Sequence, residues 1–228
     1  MNICMIPARK GSERLAKKNY LKIGDLTVLE IALQKAIKSK AFDRVVVNSD
    51  DPNLEEISNK YGVNFYLRSS DLASSDATSD QVVLDFLNNY EGEKFFWVNT
   101  VSPLQTISDI QNFVKTAIID DSWKSGVSYS LSQVHAMYDG NPLNFQWENG
   151  FARTQDLKSI KFFNYAMMGW SRDMIDLLSQ GQLFDNNTHL VESSKWSNFL
   201  LKSKEDMDLI TLLSKAAPDQ GVDFYNNE

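Results

Sequence analysis

Cysteine and histidine are scarce in this chain, which contains one cysteine, Cys4, and two histidines, His135 and His189. A single cysteine cannot form an internal disulfide, and this usage is typical of proteins from a reducing compartment. Cys4 lies in a short apolar run, so we expect it to pack in the core. The two histidines are far apart and lack the spacing of zinc ligands, so the sequence gives no indication of a zinc site.

Long apolar runs and an excess of positive charge are also missing. No segment approaches the ~20 apolar residues that a membrane span needs, and the first apolar run ends in a basic loop after a few residues, unlike a signal peptide. The chain has 23 lysines and arginines against 30 aspartates and glutamates, a net charge of -7. This balance argues against a general nucleic-acid binder. We therefore expect a cytoplasmic protein without a membrane or nucleic-acid partner.

The chain has the composition of one globular unit. It has 228 residues, of which 43% are hydrophobic, enough for a single large core. The sequence contains no internal repeat and no low-complexity linker. We therefore predict one domain over residues 1–228.

Continuous apolar runs alternate with amphipathic segments along the first half of the chain. The strands are predicted over 2–7, 44–50, 63–69 and 94–100, and the helices over 27–40, 52–62, 79–90 and 108–119. Strands that are apolar without alternation are typical of a parallel sheet covered on both faces. The pattern predicts a doubly wound, mostly parallel α/β fold of the Rossmann-like kind. Ser79 is the predicted N-cap of the third helix.

The alternation of predicted strands and helices ends at about Lys124. Strands are predicted over 125–134 and 144–154, the latter with a turn at Asn149 and Gly150, an Asn-Gly hairpin signal. A helix is predicted over 172–181, and a strand near 198–201 precedes a last helix capped by Ser203. We interpret residues 125–170 as a strand-rich excursion from the same domain.

The loop after the first strand concentrates positive charge in an acidic chain. Gly11 permits close approach of the backbone to a ligand, and Ser12 adds a hydroxyl donor. Arg9 offers a planar fork to two oxygens, and Lys18 a point charge. The spacing is that of neither a Walker A loop nor a dinucleotide fingerprint. The pattern favours a phosphate site, and the alternative is a solvated basic turn.

The opening segment resembles the acylneuraminate cytidylyltransferases, or CMP-sialic acid synthetases. Their pattern is Ile-Pro-Ala-Arg-x-Gly-Ser-Lys followed, after a gap, by Lys-Asn. The chain has the matching residues Ile6, Pro7, Ala8, Arg9, Gly11, Ser12, Lys18 and Asn19. The stretches VVVNSDD, LASSDATSDQVV, NTVSPLQ and ARTQDL are also similar to the family, and the resemblance spans residues 2–213.

The resemblance implies a site and a reaction. The implied nucleotide-binding residues are Ala8, Arg9, Gly11, Ser12, Lys18, Asn19, Arg68 and Ser79. Of these, Arg9 and Lys18 are the implied catalytic residues, and the implied sugar-acid contacts are Asn99, Ser102 and Gln105. In the family, the anomeric hydroxyl of an α-keto sugar acid attacks the α-phosphorus of CTP, which gives a CMP-sugar and pyrophosphate. The family also implies a homodimer that forms through residues 125–170.

The metal site departs from the family pattern. The resemblance implies Mg²⁺ held by two aspartates, but Leu200 and Lys202 occupy their positions. Leucine cannot ligate Mg²⁺ and lysine repels it, so the metal ligands stay unassigned. The nearby carboxylates that could have shifted into this role are Asp206, Asp208 and Asp223.

Two function classes besides the active enzyme follow from this departure. The first is a catalytically impaired homologue that binds a nucleotide or a partner protein. The second is a glycosyltransferase of similar fold, although the Asp-x-Asp motif expected of that class is found only at Asp206–Asp208, inside a predicted helix.

Overall fold

The protein is built around one large sheet, and the computed structural model describes residues 1–12, 15–147 and 151–216. The strands are β1 (Asn2–Pro7), β2 (Lys22–Ile23), β3 (Leu26–Thr27), β4 (Arg44–Ser49), β5 (Asn64–Leu67), β6 (Lys94–Val98), β7 (Ser125–Ser132), β8 (Met137–Tyr138), β9 (Asn141–Pro142), β10 (Ile160–Ser171) and β11 (His189–Glu192). Seven of them form the sheet in the order β11-β7-β10-β6-β1-β4-β5. β2 pairs with β3 and β8 with β9 in two small separate ladders.

Most neighbouring strands of the sheet are parallel. β1 pairs in parallel with β4 and with β6, β4 with β5, and β7 with β11. β10 runs antiparallel to both of its neighbours, β6 and β7. The predicted doubly wound, mostly parallel α/β fold is confirmed, with the antiparallel strand contributed by the second half of the chain.

Helices cover both faces of the sheet. They are α1 (Val28–Ser39), α2 (Leu54–Lys60), α3 (Ser79–Asn89), α4 (Ile107–Ile119), α5 (Ile175–Ser179) and α6 (Lys204–Ala216). Alternate residues of a strand point to opposite faces, so Cys4 and Ile6 pack with α1, α2 and α4 while Ile3 and Met5 pack with α3 and α5. Cys4 is fully buried, as predicted, and burial raises the pKa of its thiol. Within the described ranges, none of the helices is both long and apolar enough to cross a bilayer.

Several predicted boundaries are wrong. The N-cap of α3 is Thr78 rather than Ser79, and the Thr78 N–H donates to Gln81 Oε1 at 3.1 Å. The segment 172–181 forms a short 3-10 helix, Arg172–Met174, followed by the five residues of α5. The Ser203 cap of α6 is confirmed, because the Asp206 N–H donates to Ser203 Oγ at 3.2 Å.

The strands of the second half differ most from prediction. The predicted strand near 198–201 is wrong, because the chain forms no strand there. A strand forms earlier in the chain instead: β11, which ends nine residues before Leu201 and lies at one edge of the sheet. The predicted turn at Asn149 and Gly150 lies outside the described residues, and the described residues of 144–154 are not in strands. A hairpin joins β8 and β9 instead, with Asp139 and Gly140 at φ 47° and 76°. These positive values are those of a type I′ turn, which Asp-Gly favours.

Lys35 is a fully buried cation in the apolar stripe of α1. Its Nζ donates to the carbonyls of Ser102 at 2.9 Å and Pro103 at 3.3 Å, which ties α1 to the loop after β6. Loss of hydration lowers the pKa of Lys35 to about 7, although the charge of Asp109 opposes the shift. The lysine therefore stabilises the loop by hydrogen bonds while its charge is disfavoured.

We predict that Lys35 makes the stability of the protein rise with pH. Between about 7 and about 10, the unfolded chain holds the Lys35 proton and the folded chain has released it, so the free energy of unfolding increases through this window. Lys35→Met removes this contribution. The free energy of unfolding, measured with urea at pH 7, 8 and 9, should rise with pH more steeply for the wild type than for the variant. The exposed Lys115→Met is the control, and a pH-independent difference for Lys35→Met would contradict the prediction.

Candidate functional site

A polar cleft of about 230 Å³ lies at the edge of the sheet where the parallel strands end. The carboxyl ends of parallel strands meet at one edge, and the loops that follow them line the crevice there. The lining residues are Pro7, Arg9, Lys18, Asn19, Arg68, Leu72, Ser74, Ala77, Thr78, Ser79, Val82, Trp97, Asn99, Thr100 and Val101. They come from the ends of β1, β5 and β6, from the segments at 18–19 and 72–78, and from the start of α3.

Three cations border this cleft. They are Arg9, Lys18 and Arg68, and no carboxylate lines the cleft among the described residues. The Arg68 guanidinium is buried, with 6% of the residue exposed, and its Nη1 donates to Asn48 Oδ1 at 3.4 Å. Burial lowers the pKa of Arg68, Asp50 opposes this shift, and Arg9 adds to it. Positive charge that is partly desolvated is suited to an anion.

The Asn19 side chain joins two walls of the cleft. Its Nδ2 donates to the Arg9 carbonyl at 3.0 Å, and its Oδ1 accepts from Thr100 Oγ1 at 3.1 Å. Asn19 is buried, with 5% exposed. Its amide therefore fixes the position of the opening loop relative to the end of β6, in addition to bordering the cleft.

The opening loop is anchored on its other side to the end of β4. The Lys10 N–H donates to Asp50 Oδ1 at 2.9 Å, and the Ser49 hydroxyl donates to the Ala8 carbonyl at 2.5 Å. The Tyr20 hydroxyl donates to Asp51 Oδ2 at 2.8 Å, and burial and this carboxylate together raise the tyrosine pKa. These hydrogen bonds hold the described parts of the loop in place.

The structure brings together most, but not all, of the residues predicted for the site. Those that line the cleft are Arg9, Lys18, Asn19, Arg68, Ser79 and Asn99. Ala8 is buried in the core, and Gly11 and Ser12 lie in the loop without lining the cleft. Ser102 and Gln105 are buried and do not line the cleft, and the Ser102 hydroxyl donates to the Ser197 carbonyl at 2.9 Å. Direct ligand contacts of these last two residues remain predictions that the observed geometry does not favour.

The sequence reasoning missed several lining residues, among them Trp97, Thr78 and Thr100. Trp97 is two residues before Asn99, so strand alternation places both on the same face. The aromatic run around Trp97 is typical of a core strand, so the sequence did not indicate that Trp97 borders the cleft. Thr78 and Thr100 directly adjoin predicted site residues.

Asn99 is held by a turn in β10. The Asn99 Nδ2 donates to the Tyr165 carbonyl at 3.2 Å. Tyr165 has φ 51°, a left-handed conformation that costs a residue other than glycine about 1–2 kcal/mol. The preceding Asn164 secures the turn, because its amide donates to Ser193 Oγ at 2.8 Å and accepts from Ser128 Oγ at 2.7 Å. Glycine adopts this backbone conformation without strain, and here a tyrosine adopts it.

The segment that replaces the expected metal ligands runs beside the cleft. The Leu201 N–H donates to the Val101 carbonyl at 2.7 Å. The Asp206 carboxylate accepts from the N–H groups of Lys202 and Ser203, both at 2.8 Å, and so caps α6. Partial burial would raise the pKa of Asp206, but these hydrogen bonds outweigh it and lower the pKa.

The donor set at the cleft does not fit a Mg²⁺ ion held by protein ligands. Mg²⁺ prefers carboxylate oxygens, whereas the described lining residues supply cations, amides and hydroxyls. No group of three or more histidine, cysteine, aspartate or glutamate side chains is placed to bind a metal within the described ranges. Asp208 pairs with Lys204 at 3.6 Å, and Asp223 lies outside the described residues.

Comparison with known proteins identifies relatives over most of the chain. A family model described as cytidylyltransferase matches residues 3–207. N-acylneuraminate cytidylyltransferase of Escherichia coli O18:K1:H7 is 24% identical over 99% of this chain and 55% of its own length. Post-translational flagellin modification protein B of Campylobacter coli is 27% identical over 97% of this chain and 98% of its own. The chain spans about half the length of the first curated relatives it matches.

Solved structures share the fold at low identity. The structure of CMP:2-keto-3-deoxy-manno-octonic acid synthetase complexed with CTP matches this chain with a TM-score of 0.71 and 13% identity. The match covers 94% of this chain and 98% of that structure's chain. The 4-diphosphocytidyl-2C-methyl-D-erythritol synthase of Anaerococcus prevotii has a TM-score of 0.69 and 15% identity over 94% of this chain and 98% of its own. These likenesses establish the fold.

We predict that Arg68 contributes to polyphosphate binding. Arg68→Gln keeps a polar side chain but removes a charge-assisted contact worth about 1.5–3 kcal/mol, so affinity for tripolyphosphate should fall about ten-fold or more. Titration calorimetry at low salt measures the change. Arg44→Gln, at the exposed start of β4, is the charge-matched control. Equal losses in the two variants would show that net charge, not the cleft, determines binding.

Proposed function

The chain belongs to the cytidylyltransferase family, whose model matches residues 3–207, and we propose that it transfers a cytidylyl group from CTP to a sugar acid. One observation carries the proposal: Arg9, Lys18 and Arg68 converge on a cleft that no described carboxylate lines. A triphosphate provides the negative charge that such a cluster favours. The nucleotide and the acid are both part of the proposal.

The proposed reaction is a displacement at phosphorus. The anomeric hydroxyl oxygen of the acid attacks the α-phosphorus of CTP, the bond from that phosphorus to the bridging oxygen of pyrophosphate breaks, and the hydroxyl proton is released. Such transfers depend mainly on positioning and on neutralising charge. Arg9 and Lys18 would stabilise the charge on the phosphate oxygens, and the anchored opening loop would hold them in place. The donor set does not fit a protein-bound Mg²⁺, so no step is assigned to a metal.

The acid is proposed from the chemistry of the relatives. Those relatives are named as acylneuraminate and pseudaminic acid cytidylyltransferases, and the pseudaminic acid enzyme of Campylobacter jejuni is 36% identical over 36% of this chain. We propose an α-keto sugar acid of this class. Asn99, whose side chain is held by Tyr165 and borders the cleft, is the predicted acid contact that the geometry supports best.

A catalytically impaired homologue is the second candidate. The observation that favours it is the segment beside Val101, where Leu200 and Lys202 occupy the positions of the family's metal ligands. Such a protein would bind CTP through the same cations and would release no pyrophosphate.

The proposed function predicts pyrophosphate release from CTP with an acid of this class. The panel consists of N-acetylneuraminic acid, pseudaminic acid and 2-keto-3-deoxy-manno-octonic acid, each assayed with and without Mg²⁺. Lys18→Ala removes a charge at the cleft, so kcat/KM should fall about ten-fold or more, whereas the exposed Lys115→Ala should retain activity. CTP binding without turnover on any acid would favour the impaired homologue, and absence of CTP binding would refute both candidates.

We also propose that the chain forms a homodimer through the excursion at 125–170. This segment exposes a concentration of large apolar side chains. They are Leu131, Val134, Met137, Tyr138, Leu143, Trp147, Phe151, Phe162, Phe163 and Tyr165. Apolar patches of this kind on a protein surface mark interaction sites, and a second copy offers the same surface in return.

The dimer predicts a mass of about twice 26.0 kDa in light scattering at micromolar concentration. Tyr138→Lys and Phe163→Lys place charges in the exposed apolar patch, where desolvating a charge opposes association, so both should shift the protein towards the monomer. Leu212→Lys, at a similarly exposed position on α6, is the control. A wild-type monomer over this concentration range would contradict the proposal.

A further inference from the structure

Arg9 and Arg68 border the cleft close enough for their charges to repel. Burial lowers the pKa of Arg68, and the positive charge of Arg9 lowers it further. Arg68 is held in place, because its backbone N–H donates to the Ser49 carbonyl at 2.9 Å and its Nη1 donates to Asn48 Oδ1 at 3.4 Å. Two like charges near each other, one of them largely desolvated, cost free energy that a bound anion relieves.

The backbone around Arg9 is fixed as well. The Arg9 carbonyl accepts from Asn19 Nδ2 at 3.0 Å. The next residue, Lys10, donates its N–H to Asp50 Oδ1 at 2.9 Å. These bonds limit how far the Arg9 side chain can withdraw from Arg68. The repulsion is therefore relieved best by a ligand of high negative charge density.

The carboxylates that act on Arg68 do not line the cleft. They are those of Asp50 and Asp85. Asp50 accepts from the Lys10 N–H, and Asp85 Oδ2 accepts from the Tyr66 hydroxyl at 2.9 Å. Mg²⁺ on a nucleotide is usually held by one or two carboxylates in addition to the phosphate oxygens. Among the described residues that line the cleft, only hydroxyl and amide side chains offer oxygen atoms.

A divalent ion on the triphosphate would face the same cations as the phosphates do. Mg²⁺ neutralises part of the charge of a triphosphate and occupies oxygens that Arg9, Lys18 and Arg68 could otherwise contact. Sites that bind the metal complex compensate for this with carboxylates that attract the ion. In this cleft the ion would instead weaken the attraction between the protein and the phosphates.

We propose that the cleft binds the triphosphate of its nucleotide in the metal-free form, so that Mg²⁺ competes with the protein cations for the phosphate oxygens. That the nucleotide is CTP rests on the proposed function. The segment beside Val101 agrees with this form of the ligand, because Lys202 there adds a cation and not a carboxylate. The cleft thus selects CTP that has lost its metal ion before or during binding.

The first test compares the affinity of the wild type for CTP in EDTA and in excess Mg²⁺, by titration calorimetry. The two buffers have equal ionic strength, so that general screening by salt is the same in both. Mg²⁺ should weaken binding about ten-fold, the equivalent of one charge-assisted contact. An affinity that is unchanged or higher in Mg²⁺ overturns the inference alone. A wild type that binds CTP in neither buffer refutes the proposed function and the inference together.

Arg68→Gln tests whether the preference arises at the cleft. Arg68 attracts metal-free CTP more strongly than the metal complex, because the attraction grows with the charge of the ligand. Its loss should therefore bring the ratio of the two affinities closer to one. Arg44→Gln makes the same change of charge at the exposed start of β4 and should keep the wild-type ratio. Equal ratios in the two variants would contradict the inference.

A third measurement follows the metal directly and needs no variant. Mn²⁺ suits the same oxygen ligands as Mg²⁺, and its EPR spectrum distinguishes the hydrated ion from the nucleotide complex. Adding the protein to Mn²⁺–CTP should increase the signal of hydrated Mn²⁺, because a protein that prefers metal-free CTP must weaken the binding of metal to CTP. Protein with Mn²⁺ alone is the reference for binding elsewhere on an acidic chain. A signal that falls below this reference shows that the bound nucleotide keeps its ion, and the inference is then wrong.

Discussion

The parallel pairing of β1 with β4 on one side and β6 on the other is the constraint on which the site depends. Because the three strands run in the same direction, the loops that follow them leave the sheet at one edge. Hydrogen bonds then join the loops pairwise: Lys10 to Asp50 across β1 and β4, and Asn19 to Thr100 across β1 and β6. These hydrogen-bonded loops position the cations of the cleft, which do not depend on contacts with one another for their placement.

The sequence was sufficient for the features that depend on local pattern. Continuous apolar runs separated by amphipathic helices indicated a buried, mostly parallel sheet. Arg9 and Lys18 were accessible to sequence reasoning because basic residues after an apolar strand contrast with an acidic chain, and the family pattern added Arg68. Cys4 and the Ser203 cap were predicted from their immediate neighbours.

The features that depend on contacts distant in sequence could not be predicted. Lys35 occupies an apolar position of α1, and the carbonyls that it satisfies come from a loop 67 residues away. Trp97 looks like any aromatic residue of a core strand until the cleft is placed above it. β11 is a short edge strand that forms because it pairs with β7, which is distant in sequence. The family pattern predicts Ser102 as a ligand contact, but its hydroxyl donates to the Ser197 carbonyl instead.

The cationic cleft lies in a protein of net charge -7, and this combination has a consequence for the approach of ligands. An anion far from the protein experiences the repulsion of the whole chain, and only near the cleft does the local attraction dominate. Salt at physiological strength screens interactions beyond about 8 Å, so it weakens the distant repulsion more than the close attraction. Association of a polyphosphate should therefore tolerate moderate salt far better than electrostatic steering by a uniformly basic surface would, and the cleft gains selectivity for ligands that reach it over anions in general.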